Sequence, residues 1–404
     1  MLGIVINPRA GNGRGERVWA QVRSELDRRG VPYEAACTQA AGEGARLAAA
    51  LAGTPGVRKL LVIGGDGTIH EAAAGLWQTR AAAAEAAAAW ADAVGGAAAS
   101  AASDGGARAA TGAASGGAAL AATREVGAAC CGGEFAGANA AHAGTAHSDG
   151  AAGSAGSGRA AAQAGADAAG LARSAASVAA ADAGCALAAI PAGTGNDFAK
   201  AFGLPADPLQ ALELALTTGV PRPLDVLLAA DGGIAVNSFG AGFDGLVAKL
   251  TNEAGYKKLL NRFGLGSLAY LITVLRVFIS YRPCDAVLEM DGVRHELRDM
   301  WLVAAANIPF YGGSMQICPG ASPHDGEVDV VAICSRTRLR LLPILAAVYK
   351  GRHVGHPAVR FFRGRRAALT TTRPLHVQAD GEQHGTTPLR LAVIPAALTV
   401  IGAP

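Results

Sequence analysis

The sequence predicts an α/β protein in two parts: a parallel, helix-covered sheet in the first half and a mainly antiparallel β domain in the second. Two observations predict it. Apolar strands and amphipathic helices alternate through the first half, with glycine-rich turns at the strand ends. From about residue 223 the texture changes to strands joined by Asp-Gly turns.

In order, LGIVINP (2–8) reads as a short apolar strand, followed by a glycine-rich turn and the helix ERVWAQVRSELDRRG (16–30). Val18, Val22 and Leu26 recur there at helical spacing. PYEAACT (32–38) is a second strand and GEGARLAAALA (42–52) a second helix. KLLVIGG (59–65) is a third strand, with IHEAAAGLW (69–77) opening a third helix. CALAAIPAG (185–193) is a fourth strand, and NDFAKAFG (196–203) starts a fourth helix. Between them, 81–184 is mostly alanine, glycine and serine. Such a stretch buries too little apolar surface to offset a backbone ordering cost of about 1–2 kcal/mol per residue. It reads as a flexible insertion without a catalytic role.

In the second half LDVLLAA, GIAVNSFGAGF, DAVLEMDG, RHELRDMWLVAAAN, GEVDVVAIC and LRLAVIPAALTVIG read as strands, with helices around 245–280 and 338–350. The predicted domains are 1–222 and 223–404, with the last strand returning to the first domain.

The composition narrows the function classes. A formal charge of +3 over 404 residues is too small to indicate a nucleic-acid binder. The seven cysteines (Cys37, Cys130, Cys131, Cys185, Cys284, Cys318 and Cys334) are odd in number and contain no C-x-x-C, so free thiols in a reducing cytosol are expected. The N-terminus lacks a basic stretch before a long apolar core, which argues against a secretory signal. LAYLITVLRVFIS (268–280) is short and carries Arg276, so it reads as a buried or surface-lying helix, not a membrane span.

Three glycine motifs fall at strand carboxyl ends, where open α/β sheets bind ligands. NPRAGNGRG (7–15) contains G-x-G-x-G, one place short of the dinucleotide pattern, and by itself serves a turn or a phosphate equally well. GGDGT (64–68) is more specific. Its glycines admit close backbone approach, and Asp66 beside a phosphate makes sense if a divalent cation or a hydroxyl donor lies between them, the alternative being a plain loop acid. PAGTGNDFAK (191–200) repeats the logic, with Asn196 or Asp197 placed to cap the next helix.

VINPRAG, GGDGTIHEA, PAGTGNDFAKAFGLP, NSFGAGFD and CPGASPHDGEVDV, in this order, resemble the diacylglycerol kinase catalytic-domain family, most closely its bacterial lipid kinases. The resemblance covers essentially the chain outside 81–184, an insertion where members usually have a short loop. It implies an NAD-kinase-like N-terminal α/β domain, a C-terminal β-sandwich, and ATP in the cleft between them. The family's ATP contacts map onto Asn7, Pro8, Arg9, Ala10, Gly11, Thr38, Gly64, Gly65, Asp66, Gly67, Thr68, Ile69, His70 and Thr194. Its structural magnesium maps onto Asp325, with the backbone carbonyls of Ser322 and Glu327. The general base maps onto Glu382, although Asp66 is not excluded from that role.

The expected activity is ATP- and Mg2+-dependent phosphorylation of a hydroxyl of diacylglycerol or a related lipid. The alternatives are a soluble acceptor, as in NAD kinases, or a silent nucleotide- or lipid-binding protein. His324, beside Asp325, reads as a surface histidine. From Arg336 to Arg373 the chain carries ten Lys and Arg residues and no acid, around the apolar stretch LRLLPILAAVY (339–349). That combination suits an anionic membrane surface. A cytoplasmic enzyme, peripheral at the inner membrane face, is expected; a homodimer stays open.

Overall fold

The computed structural model describes residues 1–80, 184–253 and 266–404, and the side chains of α7 (below) from residue 273 onward. The insertion reading for 81–184, and Cys130 and Cys131, lie outside the described residues except for Gly184.

The first half is a parallel sheet in the order β2-β1-β3-β4: β1 (Leu2–Ile6), β2 (Tyr33–Cys37), β3 (Lys59–Gly64) and β4 (Ala186–Pro191). β1 is buried throughout, and β3 and β4 are buried beyond their first residue. Helices cover both faces, so these strands are continuous apolar runs with no in–out alternation. On one face α1 (Ala10–Arg29) packs Val18, Trp19, Val22 and Leu26 against Ile4, Leu61 and Ile63. On the other, α2 (Glu43–Ala52) and α3 (Asp66–Thr79) pack Ala48, Leu51, Ile69 and Leu76 against Val5, Leu60 and Val62. α4 (Asp197–Ala201) and α5 (Pro208–Glu213) follow β4.

The second half contains β5 (Val220–Ala229), β6 (Ile234–Ala235), β7 (Ser238–Gly242), α6 (Phe243–Glu253), α7 (Gly266–Ser280), β8 (Cys284–Met290), β9 (Val293–Ala306) and β10 (Val328–Cys334). Then come α8 (Leu342–Ala347), flanked by single 3-10 turns, β11 (Val359–Gly364), β12 (Arg366–Thr371), β13 (His376–Ala379), β14 (Glu382–Thr386) and β15 (Leu389–Gly402). All strand pairings in this half are antiparallel apart from β15 with β4. Two Asp-Gly pairs make two-residue hairpin turns with both residues left-handed: Asp291-Gly292 (φ 47° and 86°) and Asp380-Gly381 (φ 50° and 90°). That backbone matches the twist of the strands it joins, which is why Asp-Gly occupies it.

β15 unites the halves. Its first part pairs with β12, its last part lies parallel to β4 at Val400–Leu187, and β5 runs antiparallel along both parts. The bend between them is pinned by the buried Asp225, whose carboxylate accepts the backbone N–H groups of Ala396 (2.7 Å) and Gly326 (2.7 Å).

The sequence reading missed β11 to β14, and two of these strands divide the basic run. Arg360, Arg363 and Arg366 sit in β11 and β12, with Arg365 in the turn between them. Only the part up to Arg352 belongs to the α8 region. Alternation is weak here because β14 is exposed or half-exposed along its whole length.

Candidate active site

The NPRAGNG stretch is a loop. Gly11, Asn12 and Gly13 are all left-handed (φ 55°, 56° and 84°), and the regular helix begins after them. A Cβ on Gly11 would stand 2.3 Å from the Ala192 carbonyl oxygen, so glycine lets this loop touch the one after β4. Asn7 fixes the loop from inside: its Nδ2 donates to Thr68 Oγ1 (3.0 Å), and its Oδ1 accepts the Arg9 N–H (3.1 Å).

The GGDGT and GTGND loops meet backbone to backbone. A Cβ on Gly65 would lie 3.0 Å from the Gly193 Cα, and one on Gly193 would lie 2.6 Å from the Gly65 Cα. α3 begins at Asp66, earlier than its apolar periodicity predicts, so the acid occupies the first turn of the helix. Its Oδ1 accepts the Phe198 N–H (2.9 Å). Burial pushes the Asp66 carboxyl above its usual range, that hydrogen bond opposes the shift, and the nearby Asp197 charge reinforces it.

The expected caps are not caps. Asn196 is left-handed, and its Nδ2 donates to the Gly193 carbonyl. The Asp197 carboxylate reaches to the other half and accepts the N–H groups of Gly313 (2.8 Å) and Ser314 (2.7 Å). Lys200 contacts Asp197 and Ser314 at the same joint.

Together the three loops, the loop after β2, and β14 line a cleft of about 430 Å3. Of the predicted site residues, Asn7, Arg9, Ala10, Gly11, Thr38, Gly65, Asp66, Gly67, Thr68, Thr194 and Glu382 line it. Pro8, Gly64, Ile69 and His70 do not: Ile69 is in the core and His70 turns toward Asp380. Gly193 and Gly195 of the GTGND motif line it as well, and so do Gln39, Ala40, Ala41 and Glu71, which the sequence did not single out. Glu71 also accepts the N–H groups of Gly42 and Gly44, both at 2.7 Å. Glu382 enters from β14 beside the GGDGT loop, its Oε1 3.5 Å from where a Cβ on Gly67 would stand.

The hairpin that carries Glu382 is held by Asp380. This carboxylate is fully shielded from solvent and accepts the N–H groups of Val236, Asn237 and Ser238, each at 2.8 Å. His70 Nδ1 lies 2.8 Å from its Oδ2, a hydrogen-bonded pair between α3 and the Asp-Gly turn. Burial by itself would lower the His70 pKa, but the hydrogen bond and charge of Asp380 win and hold it above the usual imidazole value. The Asp-Gly turn was legible in the sequence; that its aspartate clamps the two halves was not.

The magnesium expectation meets a different environment. Asp325 Oδ1 accepts the Glu327 N–H (3.0 Å), and its Oδ2 is paired with the Arg363 guanidinium. Arg363 Nε also lies 2.7 Å from Glu327. One carboxylate and two carbonyls are oxygen donors suited to magnesium. In this arrangement the positive charge at the loop comes from Arg363, so the set does not fit a cation unless the guanidinium withdraws. No group of three or more His, Cys, Asp and Glu side chains poised to hold a metal occurs among the described residues. His324 is exposed, and Cys37, Cys185, Cys284, Cys318 and Cys334 form no disulfide.

Known proteins show the same organisation. Residues 1–89 and 167–229 match the family described as diacylglycerol kinase catalytic domain, and 237–402 match the YegS C-terminal NAD kinase beta sandwich-like domain. A diacylglycerol kinase of Mycobacterium tuberculosis (strain ATCC 25618 / H37Rv) is 32% identical over 219 residues, covering 53% of this chain and 68% of its own length. A diacylglycerol kinase of Bacillus subtilis (strain 168) is 27% identical over 203 residues, covering 50% and 64%. The crystal structure of a diacylglycerol kinase from Bacillus anthracis str. Sterne superposes with a TM-score of 0.56 at 16% identity, covering 100% of this chain and 97% of that one. The fold and the cleft define a kinase-type α/β and β-sandwich protein. The chain belongs to the diacylglycerol kinase family. No helix among the described residues is long and apolar enough to cross a membrane.

Proposed function

We propose that the protein is an ATP-dependent lipid kinase that phosphorylates a hydroxyl of diacylglycerol or a related lipid. The observation that carries this reading is the shared cleft: a rim of glycine-loop backbone with the Glu382 carboxylate of β14 beside it. Phosphoryl transfer asks little covalent chemistry of the protein, mainly positioned phosphates and a base at the attacking hydroxyl. The loops after β1, β3 and β4 would hold the polyphosphate through backbone N–H groups at helix starts.

The cleft lining carries the carboxylates of Asp66, Glu71 and Glu382 against the cation of Arg9. Bare ATP would be repelled, so the nucleotide substrate is its magnesium complex. The acceptor hydroxyl attacks the γ-phosphorus, an oxygen–phosphorus bond forms, and the bond to the β-phosphate oxygen breaks to release ADP. Glu382 takes the hydroxyl proton. Asp66, anchored at Phe198 and raised by burial, stays in the phosphate rim. Residues 1–222 and 223–404 act as nucleotide and lipid domains, worked by a cytoplasmic enzyme that meets its lipid at the membrane.

The test is transfer of labelled phosphate from ATP into a panel of lipid hydroxyls, with sphingosine and NAD included. Incorporation into NAD alone would replace this reading with that of a soluble-acceptor kinase.

A further inference from the structure

Far along the second half, α7 and the α8 region pack side by side on β9 and β10. Val277, Leu341 and Ile344 enter one core with Trp301 and Ile333. Their outer faces are apolar too. On α7, Leu275 and Ile279 are one turn apart and 57% and 62% exposed. Across from them Leu339, Leu342, Leu345 and Tyr349 recur at helical spacing, with Leu339 72% exposed and Tyr349 53%. Between the two lies a small slot lined by apolar side chains alone, among them Phe243, Phe278, Trp301 and Leu345. Single exposed hydrophobic residues need no explanation, whereas a contiguous group around an apolar slot marks a docking surface.

The charge around this group identifies what docks. Arg276, Arg336, Arg340, Lys350 and Arg352 are all exposed. The chain has no Asp or Glu from 266 to 280 or from 330 to 379. A second copy of the chain seated on the same patch would set arginine against arginine, because a two-fold interface uses the same surface twice. An anionic bilayer offers what the patch lacks, with negative headgroups for the basic rim and an acyl boundary for the leucines.

We propose that the outer face of α7 from residue 273 and of 338–352 is the membrane-docking surface, resting its leucines and Tyr349 in an anionic leaflet. This rests on the lipid-acceptor reading and adds to it the surface by which the enzyme reaches the lipid. The geometry connects the two: Phe243, at the start of α6, lines the slot, and α6 packs on β13 and β14, the hairpin that carries Glu382. Docking here would place the catalytic hairpin one helix away from the leaflet.

The test uses the full chain and sucrose-loaded vesicles sedimented without ATP, of phosphatidylcholine alone or mixed with phosphatidylglycerol. Wild type should bind the phosphatidylglycerol vesicles far more tightly, and rising salt should release it. R336Q/R340Q should weaken that binding by about 25-fold, at roughly fivefold per basic residue. L342S/Y349S should weaken binding to the same vesicles, and both variants should keep the wild-type thermal melt. Activity on a short-chain, monomeric diacylglycerol should survive in both, while activity on long-chain lipid in vesicles falls. Unchanged vesicle binding in both variants overturns the proposal. So does unchanged binding in the apolar variant accompanied by a dimer-to-monomer shift in analytical ultracentrifugation, which would give the patch to a second copy. If no diacylglycerol is phosphorylated while vesicle binding still depends on these residues, the docking surface stands and the kinase reading falls.

Discussion

Asp380→Asn should unlock the hairpin that carries Glu382. The carboxylate accepts three backbone N–H groups, and a fourth contact comes from His70 on the opposite half. An amide keeps the shape but turns one oxygen into a donor. If Oδ1 is lost, the N–H groups of Asn237 and Ser238 face an NH2 group; if Oδ2 is lost, that of Val236 does. At least one buried backbone donor is then unsatisfied, at about 1–3 kcal/mol. Losing the charge opposite His70 adds to that, so the total should be on the order of 3 kcal/mol. The assay is urea unfolding, read as a shift of midpoint at constant slope.

pH gives the same experiment a second readout. His70 has a folded-state pKa above its unfolded value. Its pairing therefore stabilises fully below about pH 6.5 and is lost as pH rises through the raised folded value. Wild type should lose this contribution over that window, and Asp380→Asn should lack that loss, because burial then opposes the charged imidazole. Turnover should fall while ATP affinity holds, because the aspartate positions Glu382 and is not among the residues lining the cleft. A variant with the wild-type midpoint, pH profile and turnover would refute the clamp.

Other perturbations separate the roles within the cleft. Glu382→Gln should cut turnover by about 10²–10⁴ with ATP affinity nearly intact; near-normal turnover, with turnover abolished in Asp66→Asn at intact ATP binding, would move the base to Asp66. Gly65→Val should drive the β3 and β4 loops apart, since even its Cβ would stand 3.0 Å from the Gly193 Cα. Calorimetry should then show ATP binding severely weakened, and unchanged affinity would reduce the motif to a turn. With Arg363 filling the Asp325 loop, magnesium should barely raise the wild-type melting temperature, and Arg363→Gln should make the melt magnesium-dependent. A large wild-type shift that Asp325→Asn abolishes would show instead that the cation displaces the guanidinium.

What the sequence made legible follows from what local physics controls. The parallel strands announce themselves because burial on both faces demands unbroken apolar runs, as in KLLVIG. The glycine loops show because only glycine tolerates backbones this close, as at Gly65 and Gly193. Asp291-Gly292 and Asp380-Gly381 show as turns because their left-handed pairs select those residues. Strands β11 and β14 lack the signal: β14 is wholly or partly exposed along its length, and β11 mixes arginines with aromatics on a half-exposed face. Partnership was hidden for a different reason. Asp197 has the composition and position of a helix cap, yet its acceptors are used 116 and 117 residues away, at Gly313 and Ser314. Asp380 reads as a turn residue and is one, and the same side chain reaches His70 at a separation of 310 residues. A carboxylate at a loop satisfies local and distant donors with the same chemistry, so sequence pattern cannot tell the two apart. The hairpin that carries Glu382 is therefore placed by contacts that no local rule encodes, while the glycine loops of the cleft are placed by ones that do.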